Sequence, residues 1–170
     1  NNGYVDDIHG WNFLGDIIGE NMEYVRYMKK LGPKFEGKSE SAISAADRAD
    51  YELYQKAKAE YDKEFGETNA NLNQYKAIMG QVKPAHEAMA ERLGKADYGV
   101  KDLQAISNPD AATQQQIGIL TQMLSYADTV PELMDQLDDG IDYFGNRLKY
   151  HFNLEGDYRS AVGDDPDKWD

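Results

Sequence analysis

The chain has 170 residues, enough for one domain with a real core and too few for two large ones. Apolar residues make up 41% of it, with 12 Tyr and 5 Phe, so it has the means to bury a core rather than stay disordered. A formal charge of −13 offers no basic surface to phosphate backbones or anionic lipid, and zero cysteines exclude disulfides, thiolate metal sites and a cysteine nucleophile.

Nucleic acid is therefore not an expected partner, and no apolar run is long enough for insertion into a membrane. The N-terminus lacks the basic and apolar regions of a signal peptide, and without an initial Met the chain is expected to be a segment of a longer protein. Its first fifteen residues, NNGYVDDIHGWNFLG, mix turn residues with aromatics, as a loop and short extended segment would.

From Glu20 to Leu31 the side chains Tyr24, Tyr27, Met28 and Leu31 fall at i, i+3, i+4 and i+7, which predicts a helix, and Gly32-Pro33 is expected to stop it. The clearest periodic signal runs from about Ser41 to Leu93. Alternating steps of three and four give Tyr51, Tyr54, Lys58, Tyr61, Phe65, Thr68, Leu72, Tyr75, Met79, Val82, His86, Met89 and Leu93, of which only Lys58, Thr68 and His86 are not apolar. Spacing of this kind predicts lengthwise helix packing, as in a coiled coil or an elongated bundle. Unbroken, the helix would be roughly 65 Å long at 1.5 Å per residue. Gly66 and Pro84 are expected to divide or kink it, since a proline removes one backbone donor and crowds the preceding turn.

Asn108, Pro109 and Asp110 read as an N-cap, a first-turn proline and an acid at the positive helix end, opening a helix that buries Ile117, Leu120 and Leu124. Thr129-Val-Pro-Glu132 is a capping-box pattern opening another, with Leu133, Leu137, Ile141, Phe144 and Leu148 inward. After Phe152 the chain turns polar, and residues 163–170 read as a loop leading out. The fold class expected is all-α: an elongated helical bundle or coiled-coil-like domain over residues 17–155. It lies between loop-like ends at 1–16 and 156–170, as in a domain inserted into another fold.

Those ends carry a family resemblance. GYVDDIHGWNF, Gly3 to Phe13, resembles a segment of bacterial subtilisin-like serine peptidases that follows the catalytic aspartate strand. The tail from Tyr158 through Arg159, Val162, Gly163, Asp164 and Asp165 to Asp170 is similar to the stretch preceding the family's HGTHVAG motif. The resemblance covers about thirty residues and leaves the helical middle as an insertion between the aspartate and histidine segments. It implies an α/β parent endopeptidase with an Asp, His, Ser triad, the serine attacking the peptide carbonyl while the histidine moves its proton. The aspartate is expected upstream of Asn1, and the histidine and serine downstream of Asp170, so this segment alone is expected to be inactive. Export to the periplasm, cell envelope or medium is implied as well. The partners would be the rest of the peptidase domain and protein or peptide substrates.

Among residues that could carry chemistry, His9 stands beside Asp6 and Asp7, but in the family pattern it lies outside the triad and reads as a packing or surface residue. His86-Glu87 begins like the zinc motif H-E-x-x-H, yet position 90 is Ala and the second ligand is missing. His151 falls near a predicted helix end, where a positive charge suits the dipole. Asn2, Asp6 and Asp7 form a candidate calcium site, since a hard cation wants several oxygens from one short loop, and the family's loop continues upstream with more aspartates. Calcium is thus an expectation for the parent, with no cofactor expected in this segment. Asp138, Asp139 and Asp142, like Asp164, Asp165 and Asp167, lack EF-hand spacing and read as solvated surface. The tyrosine stripe reads as a core seam rather than a sugar-binding face. An independent helical binding module, or a spacer dimerising through the stripe, is the alternative function.

Overall fold

A computed structural model describes residues 21–156; the loop-like ends, with His9 and the candidate calcium ligands Asn2, Asp6 and Asp7, lie outside them. The described residues are all-α. Helices α1 (Glu23–Phe35), α2 (Arg48–Leu93), α3 (Val100–Gln104), α4 (Ala111–Met123) and α5 (Val130–Asn146) follow one another, and α5 continues into a wide π turn, Arg147–His151. There is no strand among these residues. The chain divides into two units, one comprising residues up to Asp62 together with those from Lys149 onward, the other Lys63–Leu148.

Helix α2 is one uninterrupted run of 46 residues, so neither Gly66 nor Pro84 divides it. Its composition is mostly Ala, Glu, Lys, Gln and other good helix formers, and Gly66 costs about 1 kcal/mol relative to Ala. Pro84 and Gly80, the residue whose carbonyl loses its donor, both lie on the exposed side, where water can replace that bond. Opposite them Val82, Ala85 and Met89 are fully buried, and each large apolar side chain so placed is worth about 1.5–3 kcal/mol. Together these outweigh the proline. Gly94, with φ +68°, then supplies the left-handed residue that ends the helix.

The same competition corrects the expected end of α1. The helix passes through Gly32-Pro33 to Phe35 because Phe35 is buried against Tyr51 and Tyr54, with ring centroids 5.5 and 6.1 Å away. Leu31 and half-buried Ile43 complete that cluster in the first unit. Lys34 anchors the turn into α2 by ion pairs to Asp47 at 2.7 Å and Asp50 at 3.3 Å. Val25, which the helical stripe passed over, is the most buried residue of α1.

In the second unit the later half of α2 packs with residues of α3, α4 and α5 around Val82, Met89, Leu103, Leu120, Leu124, Leu133 and Leu137. The N-cap of α4 is Asp110, not Asn108: its carboxylate accepts from the Thr113 N–H at 2.8 Å, while Asn108 takes a left-handed φ of +49° in the loop before. Thr129 caps α5 as expected. Glu132 completes the cap by accepting from the Asp128 N–H, one residue further out than in the usual box. Short helix α3 has no stripe of its own; it is fixed by buried Leu103 and by Asp102, which accepts from the Gly99 N–H at 3.0 Å. Of the thirteen stripe positions of α2, Phe65 alone is exposed.

Gly140 lies against the ring of Tyr75, which also packs on Phe144. A Cβ at Gly140 would fall 2.1 Å from Tyr75 Cε1. Gly140→Ala should therefore destabilise the protein by about 1–3 kcal/mol through overpacking, despite the better helix propensity of alanine. Gly118→Ala, whose Cβ meets nothing, should instead stabilise by up to ~1 kcal/mol. Urea denaturation of the two variants checks both signs; equal stability would mean that the Tyr75 ring yields freely.

Candidate functional site

The most organised polar arrangement in the first unit is the place where the chain enters and leaves the helices. The last carbonyls of a helix have no partner within it, and here those of the π turn are taken by residues that open α1. The Asn21 side-chain amide donates to the carbonyls of Tyr150 at 3.0 Å and Asn153 at 2.9 Å, and the Met22 N–H donates to that of His151 at 3.2 Å. The Lys29 ammonium donates to Asn21 Oδ1 at 3.2 Å and also to the carbonyl of Gly156. Asn153 Oδ1 accepts from the Glu155 and Gly156 N–H groups, which shapes the exit turn. Asn21 thereby uses both its donors and its acceptor.

Below this clasp Phe152 is buried. The rings of Tyr24 and Tyr61 lie 6.2 and 5.8 Å from it, and the Tyr61 hydroxyl donates to the Phe152 carbonyl at 3.3 Å. Burial, with the nearby Asp62 carboxylate, raises the Tyr61 phenol above its ordinary value. The carbonyls of Tyr150, His151 and Asn153 are thus directed at the approach to α1, and that of Phe152 at α2. Sequence reading missed this clasp, because a lone Asn before a helix and five residues over a hundred positions later share no local signature.

His86 is half-buried and stacked on Tyr98, with centroids 5.5 Å apart and an interplanar angle of 24°. Tyr98 is buried; its hydroxyl donates to the His86 carbonyl at 3.3 Å and lies 3.1 Å from His86 Nδ1. Burial pushes the Tyr98 phenol up to about 12, so it remains a neutral donor. This histidine packs and hydrogen-bonds in the second unit. Among the described residues no group of three or more His, Cys, Asp or Glu side chains is placed to hold a metal ion. Tyr98, between Asp97 and Gly99, falls on no periodic stripe and so gave no signal in the sequence.

Asp135, Asp138, Asp139 and Asp142 are exposed and lie at i, i+3, i+4 and i+7 of α5. His151 lies in the last helical turn, where its carbonyl serves the clasp. No described helix is long and apolar enough to cross a membrane. No protein-family model, curated protein or solved structure matches the chain.

Two experiments address these groups. Asn21→Asp replaces the amide donor by an oxygen facing two carbonyls, and should destabilise the first unit by about 1–3 kcal/mol, the cost of leaving partly buried polar groups unpaired. Hydrogen exchange should show protection lost first at residues 22–26 and 147–153; uniform loss or none would remove the clasp from the account. Asp102, held low by the Lys95 ammonium and then the Gly99 N–H, and Asp110, held low by Thr113, both lie below the ordinary aspartate value of 3.8. Their contribution to stability is present above that value and lost as pH falls through the folded values, so stability should decline below about pH 4. Asp110→Asn, which keeps an accepting oxygen at the cap, should flatten part of that decline in a pH series of thermal melts.

Proposed function

We propose that the chain is a helical insertion domain of a subtilisin-like serine endopeptidase, exported to the periplasm, cell envelope or medium. The observation that carries this reading is the clasp: the backbone of Met22 meets that of His151 at 3.2 Å, so residues 21–156 begin and end side by side. A domain spliced into a loop must satisfy that condition, since its two connections have to fit the gap of one surface turn. The resemblance of Gly3 to Phe13 and of Tyr158 to Asp170 to segments flanking the family's catalytic aspartate and histidine supplies the host.

In this reading peptide hydrolysis belongs to the host's Asp, His and Ser, with calcium as a structural ion of the host held in part by Asn2, Asp6 and Asp7. Residues 21–156 contribute no group to the reaction. The aspartate strand of an open α/β sheet ends at the catalytic cleft, which puts the root of the insertion beside it. The helical body then gates access to the cleft or docks protein substrates before cleavage.

A dimerising spacer would need the α2 stripe free, whereas Tyr51, Tyr54, Leu72, Val82 and Met89 are buried within the chain itself. The mass by light scattering should accordingly be that of a monomer at all concentrations, and a concentration-dependent mass would restore the spacer reading. The host is tested by the flanking coding sequence, which should hold an aspartate strand just upstream and HGTHVAG within a few dozen residues downstream. In the full-length protein, deleting residues 20–155 should change cleavage of folded proteins more than that of short peptides. Equal loss on both would reduce the insertion to a structural role, and absence of both flanking motifs would leave an independent helical binding module.

A further inference from the structure

We draw no further inference here: the strongest candidate, the exposed acidic face of α5 formed by Asp135, Asp138, Asp139 and Asp142, is a run of carboxylates at helical spacing with no second feature that points to a ligand, and nothing in the structure shows what covers it.

Discussion

Along the 46 residues of α2, side chains spaced three and four apart have to be kept from water, and the other elements of each unit supply the covers for that face. Leu31 and Phe35 of α1 cover Tyr51 and Tyr54, and Phe152 covers Tyr61. Further along, α3, α4 and α5 enclose Val82 and Met89. A helix this long and this rich in charged residues has little reason to exist alone in water, because most of a helix's stability comes from packing its apolar face. Removing one cover would expose aromatic and aliphatic surface worth about 25 cal/mol per Å². Local rules therefore give way wherever they conflict with that burial. Pro84 and Gly66 stay inside α2, and Pro33 inside α1, because the buried residues around them hold the helix continuous.

Polar groups are arranged by a second constraint, that backbone donors and acceptors near the core must find partners. The carbonyls of the π turn meet it through Asn21 and Met22. Each such bond contributes only about 0.5–1.5 kcal/mol net, but leaving its partners buried and unpaired costs more. The tie between the approach to α1 and the segment that follows α5 thus follows from satisfying a helix terminus. Surface ion pairs, such as Lys58 with Asp62 at 2.6 Å, orient side chains and add little stability.

The polar chemistry of the described residues is structure-bearing. His86, the one histidine with a motif-like neighbour, is occupied with Tyr98. Of the carboxylates held below their ordinary values, Asp102 and Asp110 are helix caps and turn anchors, while Asp47 is lowered by Lys34 and Glu64 by Lys63. Perturbed titration at these positions reports capping and ion pairing.

The sequence by itself determined the all-α class, the inward face of α2 and the start of α5, because helical periodicity and the Thr129 cap are encoded within a few residues of one another. It placed the start of α4 two residues early, since Asn108 and Asp110 are both good caps and only the loop's path decides between them. It left α3 unseen, five residues being too few for a period. Tertiary structure alone decided that Pro33 and Pro84 remain helical, that Gly140 receives the Tyr75 ring, and that Asn21 meets Tyr150 and Asn153. Those outcomes depend on groups far apart in the chain, and no local pattern carries the free energy of a contact between residues separated by 129 positions or more.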